Sequence, residues 1–154
     1  MIVIGVGNRD RGDDAIGPLV IDRLRSSIAC FETNGDPSTL VSLLSSDTEV
    51  VIVDSMVSGR EPGLIDSAEY VPGDRFPGSM EFTRRGSTHG FGVFEALELA
   101  RILGSLPERV TLVGVEGSRF AAGSDLSPEL VNAIDRIVDL ILGWASGAGV
   151  AVDL

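Results

Sequence analysis

The chain has a single histidine, His89 in Ser87-Thr88-His89-Gly90, and two distant acidic sites that could share a divalent metal with it. One is Asp13-Asp14, in the turn that follows the first hydrophobic run; the other is Asp54, directly after Val50-Val51-Ile52-Val53. Two carboxylates, one imidazole and waters make an oxygen-rich coordination sphere with open positions, suited to zinc, nickel or iron rather than calcium. Each residue also has a plainer use. Asp13 and Asp14 fit a helix cap that complements the dipole, Asp54 fits a turn, and His89 fits a helix start bonded to backbone. One acid would suffice as a cap; two in a row, followed by small residues and Gly17, point to one of them facing a ligand.

These residues need a scaffold that brings residues 14, 54 and 89 together, and the hydrophobic pattern supplies one. Apolar runs alternate with helical spacing in the manner of βαβ units. Strands are predicted at residues 2–6, 28–32, 50–54 (central) and 110–115, with a more polar edge strand at 64–71. Helices are predicted from about 14 to 26 (Ile16, Leu19, Val20 and Leu24 inward) and from Asp36-Pro37-Ser38 through Leu40, Val41, Leu43 and Leu44. Two more are expected at 90–103, with Phe94, Leu97, Ala100 and Ile102/Leu103 inward, and from N-cap Ser127 and Pro128 to about Trp144. Residues 58–62, 73–86 and 118–125 read as loops, and 147–154 as a frayed tail. The expected fold is α/β: a three-layer α/β/α sandwich around a mostly parallel sheet of about five strands, with residues 1–154 as one domain. Such sheets bind ligands beyond the carboxyl ends of their strands. Asp13, Asp14, Asp54 and the loop after Val115 belong to that rim, and His89, at the start of its helix, can join it.

Composition removes several classes. The net charge is −11 and all twelve basic residues are arginines, so phosphate backbones should be repelled and lysine chemistry is absent. No apolar stretch approaches the ~18–20 residues that cross a bilayer, and no basic leader with a cleavage site is read at the N-terminus. Cys30 is the only cysteine, which leaves no internal disulfide and predicts a buried, inert thiol. The expected compartment is the cytoplasm.

Gly5-Val6-Gly7 after a strand, with Glu32 ending the next, partly matches a dinucleotide fingerprint. The third glycine, however, is Asp10, and three carboxylates crowd the helix start where a pyrophosphate would lie. A small nucleotide-binding protein is therefore the weaker alternative.

Taken in order, Gly5-Val6-Gly7-Asn8, Gly12-Asp13-Asp14-Ala15-Ile16-Gly17, Val51-Ile52-Val53-Asp54 and Ser87-Thr88-His89-Gly90 resemble the nickel–iron hydrogenase maturation endopeptidases. Val113-Gly114-Val115-Glu116 and Leu126-Ser127-Pro128-Glu129 fit as well. The resemblance spans most of the chain. It implies a peptidase that trims the C-terminal peptide of a hydrogenase large-subunit precursor after nickel insertion. It further implies that Asp14, Asp54 and His89 contact the metal and carry catalysis, with Asp13 supporting Asp14 or capping the helix. The nickel would arrive on the substrate, leaving no need for a resident metal at rest. Relatives commonly carry proline after the position of Glu116, where this chain has Gly117, and residues 75–86 are idiosyncratic. A non-catalytic metal-sensing or accessory protein on the same scaffold would use the same three residues.

Overall fold

The computed structural model describes residues 1–72 and 92–148. In chain order it contains β1 (Ile2–Val6), a 3-10 turn (Gly12–Ala15), α1 (Ile16–Leu24), β2 (Ala29–Thr33), α2 (Pro37–Leu44), β3 (Glu49–Met56), β4 (Ile65–Glu69), α3 (Val93–Ile102), β5 (Arg109–Glu116) and α4 (Pro128–Ala145). The sheet order is β2-β1-β3-β5-β4; every pairing is parallel except that of β4 with β5. This is the expected α/β architecture, with β3 at the centre and β4 as the antiparallel edge.

The central strands β1 and β3 are almost wholly buried because helices cover both faces, which is why they read as unbroken Val/Ile runs. On one face Ile4, Ile52 and Leu112 pack with Leu40 and Leu44 of α2 and Leu97 of α3. On the other, Val3, Val51, Val53 and Val113 pack with Ile16, Val20 and Leu24 of α1 and Leu130 and Ile137 of α4. β2 is an edge strand and mostly exposed.

Several expectations need correction. The first helix is preceded by a 3-10 turn, and its buried face includes Ile21 rather than Leu19. The described part of α3 begins at Val93 with Gly92 as N-cap, whose amide donates to Glu95 Oε2 at 2.8 Å. Its inward face is Val93, Ala96, Leu97 and Ala100, while Ile102 and Leu103 are 70% and 63% exposed. The helix stops at Leu103, and Gly104 (φ +70°) turns the chain away before that face completes another turn. Cys30 is half-buried, not fully buried, against the α1/α4 core, and burial pushes its thiol up. The 73–86 loop, His89 and residues 149–154 of the tail lie outside the described residues.

One packing feature positions the site. A Cβ on Gly17 would lie 2.4 Å from the Val6 carbonyl oxygen and 2.7 Å from that of Val53. Only glycine lets α1 start directly over the carboxyl ends of β1 and β3. The residues just before α1 are thereby pressed onto the end of β3, which carries Asp54.

Candidate functional site

Asp54 does not end its strand. β3 runs two residues further, past the last residue paired with β1 (Gly5 opposite Val53) but still alongside β5 (Asp54 opposite Gly114). Asp54 thus sits inside the sheet rim, 6% exposed, where an ordinary turn former would lie open to water. Its Oδ1 accepts the amide of Ser55 at 2.8 Å; Oδ2 has no donor among the described residues. Asp14, half-buried in the 3-10 turn, comes to the same place. Its Oδ1 accepts the Ser55 hydroxyl at 3.0 Å and its Oδ2 the Asn8 amide at 3.1 Å. Ser55, fully buried, therefore bonds both carboxylates, one through its side chain and one through its backbone.

The electrostatics follow from that burial. Desolvation pushes Asp54 well above the usual carboxylate range and the nearby charge of Asp14 adds to it; the Ser55 amide only partly opposes this. Asp14 is also raised by desolvation, against the Ser55 and Asn8 hydrogen bonds and the charge of Arg11. Two acids that resist ionising side by side make a place where a cation, or a shared proton, is favoured.

Asp13 has another job. It is fully buried and does not cap α1. Its Oδ2 accepts the amides of Ser118 (2.7 Å) and Arg119 (2.9 Å), and its Oδ1 accepts the amide and hydroxyl of Ser127, both at 2.8 Å. Burial pushes its carboxyl up, but these bonds outweigh it and hold the group below its usual range. The hydroxyl of Ser127, the α4 N-cap, is spent on Asp13 instead of its own helix. Asp13 ties the β5–α4 loop to the first turn.

Two other carboxylates are likewise occupied. Buried Glu116 accepts the amides of Ser58 and Gly59 and the Ser58 hydroxyl at 2.8–3.1 Å, fixing the loop after β3. Glu32 takes both forks of Arg9, at 2.8 and 2.7 Å, and Arg9 also grips Asp22. The acid that a dinucleotide ribose would need is thus already paired with Arg9. Gly117, directly after Glu116, donates its amide to the Met56 carbonyl at 3.0 Å, a bond proline cannot make.

Two of the three expected ligands, Asp14 and Asp54, therefore come together on the rim; the third, His89, lies outside the described residues. Among the described residues no group of three His, Cys, Asp or Glu side chains has metal-holding geometry. Ser55, which joins the pair, was not singled out from sequence. Its only signal was its place directly after a strand-borne aspartate. Asn8 and Asp13 were visible as parts of a motif, but their bonding was not.

A family model described as hydrogenase maturation protease matches residues 28–144. The chain belongs to the hydrogenase maturation protease family. The hydrogenase 2 maturation protease of Escherichia coli is 26% identical over 97% of this chain and 93% of its own length. The hydrogenase expression/formation protein HupD of Thiocapsa roseopersicina is 25% identical over 97% of this chain and 69% of its own. In solved structures the fold recurs in the E. coli hydrogenase maturating endopeptidase HybD, at a TM-score of 0.73 and 22% identity over 96% of this chain and 93% of that one. As a member of this family the chain is a peptidase, as the resemblance implied. The matched span contains Asp54 and position 89, while Asp14 precedes it. Among the described residues no helix is long and apolar enough to cross a membrane.

Proposed function

We propose that this peptidase removes the C-terminal peptide of a nickel–iron hydrogenase large-subunit precursor once nickel is in place. Asp14, Asp54 and His89 contact the nickel that the precursor carries. The supporting observation is the Asp14–Asp54 pair: a nine-tenths buried carboxylate with one oxygen lacking a donor among the described residues, beside a second carboxylate at the ligand-binding rim. Their mutual repulsion is unfavourable until a cation arrives, and an arriving dication takes both in ionised form. Oxygen donors completed by one imidazole suit a divalent nickel ion. A site that waits for its metal this way needs no resident ion at rest. In the hydrolysis itself water adds to the scissile carbonyl carbon, the C–N bond breaks, and the departing nitrogen takes a proton. The compartment is the cytoplasm, in keeping with a single cysteine.

The test uses purified precursor with and without nickel. Wild-type protein should trim the loaded form and leave the nickel-free form intact. Asp54→Asn and His89→Ala should each lose more than about 100-fold in rate, on the scale of losing a preorganised electrostatic contact. Equal cleavage of both precursor forms would reject the nickel requirement, and wild-type rates in both variants would reject the site.

A further inference from the structure

We propose that Ser55 is a positioning residue that sets the spacing and orientation of the two carboxylates; this rests on the reading of Asp14 and Asp54 as metal contacts. Side chains at consecutive strand positions point to opposite faces, so Asp54 projects toward the α2/α3 side and Ser55 toward α1. The two functional acids come from separate segments, one in the strand and one in the turn before α1. Covalent geometry alone does not relate them. The Ser55 hydroxyl crosses that gap to Asp14 Oδ1 at 3.0 Å, while its amide holds Asp54 Oδ1 at 2.8 Å. With the Asn8 amide on Oδ2, both oxygens of Asp14 are fixed in direction, and each keeps further lone-pair capacity. The carboxylate of Asp14 is thereby referenced to the rigid central strand instead of its own turn. Such outer contacts orient metal-binding carboxylates and commonly change metal affinity by about 10–100-fold.

Ser55→Ala deletes one oxygen and leaves the amide bond to Asp54 intact. A structural control is Ser127→Ala, which removes a second buried hydroxyl bonded to an aspartate, here Asp13, away from the pair. Cadmium binding to the isolated protein, measured by calorimetry, is compared with the rate of trimming of nickel-loaded precursor and with the thermal midpoint. Ser55→Ala should lower cadmium affinity and trimming by about 10–100-fold, whereas Ser127→Ala should lower the midpoint and leave both within about twofold. Ser55→Thr, which keeps the hydroxyl, should recover most of the loss. Cadmium affinity and trimming unchanged in Ser55→Ala, while Asp14→Asn loses both, overturns the role of Ser55 and spares the site. Equal losses in Ser55→Ala and Ser127→Ala, in step with their midpoints, also overturn it. Trimming unaffected by Asp14→Asn and Asp54→Asn instead overturns the reading beneath it.

Discussion

Asp13 and Asp14 are adjacent, identical in type and part of one 3-10 turn, yet they have opposite fates. Asp13 is buried with four close donors, three of them backbone amides, and its carboxyl is held low. Among the described residues Asp14 has one donor on each oxygen, a second carboxylate nearby and a raised carboxyl. The difference lies in the partners. A carboxylate saturated by amides is a structural anchor with nothing left to offer a ligand. One left short of donors beside another acid is costly in the free protein and useful to an arriving cation.

Removing the anchor should have the largest effect on folding. Asp13→Ala leaves the amides of Ser118, Arg119 and Ser127 without acceptors, and should cost about 3–5 kcal/mol. That is roughly 10 °C in thermal midpoint for a domain of this size. Because the folded carboxyl is depressed, its contribution is fully present above the ordinary aspartate range and is lost as pH falls through the lowered value. The wild-type and variant midpoints should accordingly converge in acid. A variant that melts with the wild type at pH 7 would remove the anchor role.

Asp54 should behave in the opposite way. Its folded carboxyl is raised, so its stabilising share is present below the ordinary aspartate range and is lost as pH rises through the raised value. Asp54→Asn removes a charge that burial and Asp14 oppose, and should stabilise the free protein at pH 7, raising its thermal midpoint. The gain should shrink toward pH 4, as measured by thermal midpoints across that range. A protein destabilised at pH 7 by this substitution would mean that the pair is a structural contact and not a strained site.

The sequence made the scaffold legible and the division of labour between acids obscure. Continuous Val/Ile runs exposed β1, β3 and β5, because a strand buried on both faces has no polar phase to disguise it. Rim placement of Asp14 and Asp54 followed from topology alone. What stayed hidden was long-range bonding: the partners of Asp13 lie 105 to 114 residues away, and no local pattern announces them. The end of α3 was legible to within a residue, but Ile102 and Leu103 face solvent because the last helical turn projects beyond the core that its inward face packs on. Ser55 was passed over because a serine inside a hydrophobic strand carries no signal until its neighbours in space are known.

The smallest effect belongs to the third charged cluster of the first turn. Arg9 bridges Asp22 and Glu32 with near-ideal forked geometry, but it is 41% exposed, and its partners are 43% and 34% exposed. Hydrogen bonds to Arg9 hold both acids below their usual range, so the cluster stabilises above the ordinary carboxylate range and fades as pH falls through the lowered values. Water and salt screen such pairs, and Arg9→Ala should cost no more than about 1 kcal/mol despite removing four bonds to carboxylates. Repeating the denaturation at 1 M salt should halve that cost or more, whereas the Asp13→Ala deficit, carried by buried amides, should persist. A salt-independent loss of several kcal/mol at Arg9 would show that exposure is the wrong criterion for ranking the acids of this turn. Donor geometry alone would then have to explain why Asp13 anchors and Asp14 does not.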